Sequence, residues 1–384
     1  MSHKVFALAV LGVIVLGSFR PVGAGEDQDV ELYLPLVRSD TNDLAGGIVM
    51  EIETSPGLPN VMLASLVRSY YDWLSPRYSL DRGLTWHKVE SVPGNNYEIR
   101  TLGIAIAPNP DQRPRFLMTV KTWYGANLYR SDDLGNSWVR VDIGSDAFPD
   151  GEGGFSNLIA SPADPSHLFL AYSILTSGWE PLILGYAYAS ENEGTSWYQV
   201  WGEGLEKAVD VILPSPSVAE RAYFRIYDMN SFYRDYWEMM NGEVWNSADN
   251  FPNTTYNLAL DAVDPDLMYS IEAGRSTDGG NTWTPWVNPP CSFWRLITHP
   301  TRSRALYVLC DGGLFRSKSS GNRWRQLSTN GEGVLFPDYS VPGRLIWVKS
   351  DGVWVSCDDG LKWLLINPGC TRTAILPSGV DLDD

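Results

Sequence analysis

One eight-residue pattern governs what this chain can fold into. The stretch Ser79-Leu80-Asp81-Arg82-Gly83-Leu84-Thr85-Trp86 recurs as Ser276-Thr277-Asp278-Gly279-Gly280-Asn281-Thr282-Trp283. Further copies start at Ser131 and Ser356, carrying Asp133 with Trp138 and Asp358 with Trp363. Two variants start at Ser190, with Asn192 and Trp197, and at Ser317, with Ser319 and Trp324. Serial recurrence at this scale means a repeat architecture, in which each unit buries its apolar faces against its neighbours. Within each copy a short carboxylate can bond backbone N–H groups of a tight turn, glycine permits a positive φ, and the hydroxyl adds a local bond. The indole then packs between neighbouring sheets. This assigns Asp81, Asp133, Asp278 and Asp358 to architecture, together with Trp86, Trp138, Trp197, Trp283, Trp324 and Trp363.

The first serines are spaced by 52, 59, 86, 41 and 39 residues. The gap of 86 is two periods, so one unit between 190 and 276 has lost its box, and Ser247-Ala248-Asp249-Asn250 reads as the remnant. Seven units result, starting near 46, 98, 155, 207, 255, 291 and 332. Six or eight units are the alternatives. Each holds two short strands joined by a Pro-containing turn, as in Leu158-Ile159-Ala160-Ser161-Pro162 followed by His167-Leu168-Phe169-Leu170. A third strand runs into the box and a fourth leaves through the Trp. The expected fold is all-β, a single propeller of seven blades with four antiparallel strands each. A leftover strand at 373–377 is expected to help close the ring against the first blade.

The pattern resembles the Asp-box, or bacterial-neuraminidase, repeat. Propellers of that group include sialidases, xyloglucanases, sortilin-type receptors and photosystem II assembly factor-like proteins. The resemblance covers about residues 46–376 and implies a ligand face opposite the boxes. Sialidases carry an F/Y-R-I-P motif ahead of their first box; here the nearest match, Phe224-Arg225-Ile226-Tyr227, lacks the Pro and falls in the fourth unit. Xyloglucanases draw their two catalytic Asp residues from two propellers, and this chain has one.

Residues 1–24 read as a secretory signal: Lys4, an apolar run of 13 residues over 5–17, then Val22-Gly23-Ala24. Thirteen is short of the roughly 20 a spanning helix needs, so no membrane span is expected once the signal is cleaved. An acidic spacer (25–45), the propeller (46–376) and an acidic tail (377–384) follow. The expected location is secreted or cell-surface, as a monomer. Export permits disulfides, and Cys291 with Cys310 and Cys357 with Cys370 is the preferred pairing, with all four reduced as the alternative. The chain has 46 acidic against 29 basic residues, a formal net charge of −17, which argues against nucleic acid as a partner. With four scattered His and no phosphate-binding, G-x-S-x-G, H-E-x-x-H or C-x-x-C motif, no metal or cofactor is expected.

The connections between strands two and three should lie on the face away from the boxes. In units five to seven they are minimal. In units one to four the windows 68–78, 122–127, 174–182 and 227–242 hold 12 aromatics in 42 positions, against 12% for the whole chain. Aromatic loops carry either packing or recognition. Flat rings beside acids and an Arg suit sugar rings, which selects Tyr71, Trp73, Trp123, Tyr124, Trp179, Tyr233, Arg234 and Trp237 as ligand-binding candidates. The competing expectation is that these rings fold down over the rim. Asp72, Glu180, Asp235 and Glu238 are candidates for the paired carboxyl groups a glycosidase requires. Three functions follow in order: a non-catalytic module binding a glycan or protein, an assembly scaffold as the photosystem factor resemblance suggests, and a glycoside hydrolase.

Overall fold

The computed structural model describes residues 48–365, apart from 70–71, 94–99, 123–124, 144–151, 176–182, 206, 229–233, 243, 248–250, 252–257 and 350–351. The signal, the spacer, the tail and the 373–377 segment lie outside the described residues.

The chain is an all-β propeller of seven blades. Their first strands are Ile48–Thr54, Arg100–Pro108, Glu152–Ala160, Lys207–Pro214, Leu258–Leu260, Phe293–Thr298 and Val334–Pro337. Each blade is an antiparallel meander in chain order, and all have four strands except the fifth. There, Leu258–Leu260, Met268–Ser270 and Gly274–Ser276 are completed by a single Arg275–Thr284 bridge. Neighbouring blades come together along their first strands, so those strands are innermost.

Between blades lie apolar seams built from alternating strand residues, which point to opposite faces of each sheet. Ile104, Ile106, Phe116 and Met118 of blade 2 pack on Leu58, Leu63 and Val89 of blade 1. Leu117 faces the other way, onto Leu158, Leu170 and Trp197 of blade 3. The last seam joins Val49, Ile52, Met62 and Trp86 of blade 1 to Ile346, Val348 and Val355 of blade 7. The ring therefore closes by packing whole blades, with no strand lent from one end of the chain to the other among the described residues.

The repeated turn is organised by its serine, a role absent from the sequence argument. Ser276 Oγ donates to Asp278 Oδ1 at 2.7 Å and accepts from Gly280 N–H at 2.8 Å. Asp278 then accepts from Thr282 N–H at 2.9 Å and Thr282 Oγ1 at 2.6 Å, while Trp283 Nε1 donates to the Gly280 carbonyl. Asn192 and Ser319 substitute for the acid by accepting the same backbone bond, from Ser196 N–H and Arg323 N–H. Two successive residues are left-handed, for example Glu193 at φ 53° and Gly194 at 74°. In four of the boxes the carbonyl of the first left-handed residue is grasped by an arginine of the preceding blade. Arg115 reaches Glu193 O, Arg275 reaches Ser320 O, Arg316 reaches Asp359 O, and Arg344 reaches Arg82 O.

Blade 4 corrects one expectation. Ser247 ends its fourth strand, opposite Glu238, whereas every box serine ends a third strand, so Ser247 does not open a box turn; 248–250 lie outside the described residues. The turn sits earlier, where Asn241 pairs with Val244 across a two-residue hairpin that includes Gly242. The missing indole is offset by Phe251, which packs against Tyr223, Trp237 and Trp283.

Cys291 and Cys310 form a disulfide with Cα atoms 6.1 Å apart, beside the pair Phe293–Cys310 that begins the blade 6 hairpin. Cys357 is also disulfide-bonded; Cys370, its expected partner, lies outside the described residues. The first bridge closes a separation of 19 residues, and chain-entropy reasoning puts its contribution at ~3 kcal/mol. Cys291→Ser should lower stability by about that amount, measured by denaturant titration against the oxidised wild type.

Candidate functional site

Two regions combine accessibility with unusual chemistry: the face away from the boxes, and the inner end of the seams.

The face is lopsided. Strand two pairs with the end of strand three at the box in every boxed blade, as in Leu168 with Ser190 and Leu306 with Ser317. Differences in strand length therefore appear at the opposite end. Strands two and three have 7 to 9 residues in blades 1–4, such as Leu168–Leu175 and Arg234–Asn241, against 3 to 5 in blades 5–7, such as Leu306–Cys310 and Gly352–Ser356. About three extra residues at roughly 3.3 Å each raise this side by ~10 Å. Half the ring is a wall and half is a low rim.

This geometry changes the meaning of several candidates. Window 68–78 is mostly strand, since Asp72–Ser79 pairs with Met62–Ser69. Asp72 and Trp73 are at its upper end, opposite Ser69 and Val67. Tyr71, Trp123, Tyr124, Trp179, Glu180 and Tyr233 lie outside the described residues. Arg234 and Asp235 begin the third strand of blade 4, opposite Asp228 and Tyr227. Trp237 is a correction: it is 3% exposed and packs with Val211, Tyr223 and Phe251 in the seam between blades 4 and 5, so its ring is core and cannot stack on a ligand. Glu238 is half-buried and shares a strand face with Tyr236 and Met240, which pack towards blade 3.

The inner region was not legible as a site. Glu51 and Glu53 are two apart on the first strand of blade 1, so they share one face, while Ile52 packs towards blade 7. The two carboxyl groups hydrogen-bond each other, and Glu51 faces the Ile104 backbone of blade 2. Burial pushes the Glu51 carboxyl up to about 8; burial and the negative charge of Glu51 hold Glu53 well above its ordinary range. The pair therefore keeps a proton at neutral pH. On the blade 7 side stands Tyr339, whose hydroxyl bonds Thr298 and is pushed up to about 12 by burial. Thr298 in turn donates to Leu260 O at 2.7 Å. Beyond Tyr339 is Arg295 of blade 6, its Nε on Leu335 O at 3.3 Å and its guanidinium 5.7 Å from the Phe336 ring.

Carboxyls raised in the folded state bind protons that the unfolded chain releases, so their contribution to stability is full below the ordinary carboxylate range and is lost as pH rises towards 8. Asp278 acts in the opposite window: hydrogen bonds from Thr282 hold it down at about 2, and its contribution is lost as pH falls towards that value. Stability should peak between the two windows. Glu53→Gln should reduce the loss of Tm between pH 5 and pH 8 by about 2–4 °C, read by thermal denaturation.

No family model matches the chain, and no curated protein matches it. Solved propellers do. The GH74 xyloglucanase from Xanthomonas campestris is 14% identical with a TM-score of 0.32, over 84% of this chain and 62% of that one. A Hadza microbial sialidase is 12% identical with a TM-score of 0.43, over 67% and 62%. An ancestral GH74 enzyme is 13% identical with a TM-score of 0.45, over 82% and 48%. The chain thus spans less than two thirds of the length of each. At these identities the likeness concerns the fold alone.

Among the described residues no group of three His, Cys, Asp or Glu side chains converges as metal ligands. His299 illustrates how the polar side chains are consumed. Its Nδ1 accepts from Thr301 and Arg302 N–H and its Nε2 meets Asp359 Oδ1 at 3.0 Å, pinning blade 6 to the box of blade 7.

Proposed function

We propose that this protein is an exported, non-catalytic propeller that binds a glycan across the step between its wall and its low rim. The observation that carries the reading is the height difference between blades 1–4 and blades 5–7. It raises the ends of the second and third strands of blades 1–4, including the strand end with Trp73, above a shelf on one side only; Trp123, Tyr124 and Trp179 follow those strand ends in the sequence. Flat aromatic surfaces stack on the apolar face of a sugar ring, and neighbouring acids and Arg234 accept or donate to its hydroxyls. The disulfide between Cys291 and Cys310 supports an extracytoplasmic setting.

Affinity electrophoresis through gels containing xyloglucan, other plant polysaccharides or sialylated mucin tests the reading. Retardation is expected in at least one gel and should be lost in Trp73→Ala or Trp179→Ala, with Trp237→Phe unaffected. No retardation in any gel overturns it, and partners recovered by co-purification would then favour the scaffold reading. Release of reducing sugar, abolished by amide substitution at Asp72, Glu180, Asp235 or Glu238, would instead establish a glycoside hydrolase of xyloglucanase or sialidase type.

A further inference from the structure

The polypeptide enters the ring on the face away from the boxes. Ile48 begins the first strand of blade 1 opposite Val67, whereas Thr54 at the other end lies opposite Met62, which pairs with the box serine Ser79. Residues 25–47 precede Ile48, so they start from the inner margin of that face. The entry point stands beside blade 7, because Val49 and Phe336 pack into the same seam. The neighbouring parts of blades 6 and 7 present rings and cations together. The Arg295 guanidinium is 5.7 Å from the centre of the Phe336 ring. Lys349 ends the second strand of blade 7 opposite Gly352, on the low rim of the same face. Its Nζ is 4.2 Å from the centre of the Trp354 ring and 4.9 Å from that of Trp347. Phe336, Arg295, Lys349 and Trp354 are half-buried, so each retains accessible surface.

The segment that starts here is complementary to such a surface. Glu26, Asp27, Asp29 and Glu31 form an acidic run without a base, and Tyr33-Leu34-Pro35-Leu36-Val37 follows at once. Carboxylates are drawn to an ammonium, and a Pro-containing apolar segment docks on aromatic rings at low entropic cost. The chain between Val37 and Ile48, residues 38–47, spans up to ~35 Å when extended, against ~4.8 Å between neighbouring strands. A tether of this length gives an effective concentration on the order of millimolar. We propose that residues 26–37 dock on the low rim of blades 6 and 7 of their own ring. The acidic run lies at Lys349, and Tyr33, Leu34 and Leu36 cover the rings of Trp354 and Phe336. The low rim is thus a seat for a tethered peptide. A glycan crossing the step must displace that peptide, and this consequence alone rests on the glycan reading.

Hydrogen exchange of the purified full chain, read by mass spectrometry, tests the docking without any glycan. Amides of 29–37 should exchange at least about tenfold more slowly than the same sequence as a free peptide. Tyr33→Ser combined with Leu36→Ser should abolish that protection, and Lys349→Glu should reduce it by about threefold or more. Carbodiimide treatment should join Lys349 to Glu26, Asp27, Asp29 or Glu31 within one molecule. Exchange as fast as that of the free peptide overturns the proposal. So does protection that survives in both variants while their melting curves show folded protein. Cross-links confined to other parts of the ring place the segment elsewhere, and a covalent dimer assigns it to a second copy; either result also overturns it. Gel retardation plays no part in these readings, so failure of the docking and failure of the glycan reading are seen separately.

Discussion

Arg344→Ala should lower stability by about 3–5 kcal/mol, the cost of breaking a buried ion pair from one side. Arg344 and Asp338 are both fully buried, with Nη1 and Oδ2 3.2 Å apart. Asp338 also accepts from Ser340 N–H at 2.9 Å, fixing the turn between the first two strands of blade 7. Nη2 of Arg344 donates to the Arg82 carbonyl at 2.9 Å, across the seam where the last blade meets the first. Removing the guanidinium leaves a buried carboxylate and an unmet carbonyl together. The double variant Arg344→Met with Asp338→Leu should recover most of the loss, because a buried pair replaced by apolar groups is often nearly neutral. Denaturant titration of both variants checks this. A double variant as unstable as the single one would mean that the Arg82 bond, not the stranded charge, dominates.

Gly313→Ala should cost a comparable amount, roughly 3–5 kcal/mol, in the range reserved for backbone strain and overpacking. Gly313 begins the third strand of blade 6 at φ 119°, in a region L residues rarely enter. A Cβ there would lie 1.9 Å from the Ser328 carbonyl, which belongs to the adjacent fourth strand and cannot rotate aside. The same geometry recurs at Gly274, which opens the third strand of blade 5 with the Thr284 carbonyl 2.0 Å from an added Cβ. These glycines allow the tight turns that keep blades 5 and 6 low. A melting curve for Gly313→Ala within one or two degrees of wild type would show that the turn can be rebuilt, and that the low rim has another cause.

Much of the architecture could be read from residue spacing, because each box must occupy the same turn of each blade. The first strands begin within a few residues of the expected starts, at Ile48, Arg100, Lys207 and Phe293 among others. Features that depend on strand direction could not be read so easily. In Arg234–Asn241 the run Tyr236-Trp237-Glu238 looks like a loop rich in recognition residues, yet strand alternation sends Trp237 into one seam and Tyr236 into the other. Alternation was the available signal, hidden by the density of aromatics and charges. Glu51, Tyr339 and Arg295 lie up to 288 residues apart and are joined only by ring closure, so no local pattern announces them. The serines of the boxes were written in the motif from the start, but their hydroxyls gain meaning only when the turn brings Ser276 Oγ to the Gly280 N–H.

Chain order and spatial order coincide in this ring, since every blade is made of consecutive strands. Six of the seven seams join sequence neighbours and can form as the chain emerges. The seventh must wait for the last blade, and its Arg344–Arg82 bond spans 262 residues. Until then the growing array has two unlike ends that fit one another. The same two ends on different molecules also fit, head to tail, and such an interface extends without closing. During folding the race is therefore between one intramolecular joining and polymer growth. The seventh seam decides whether the product is a ring or a filament.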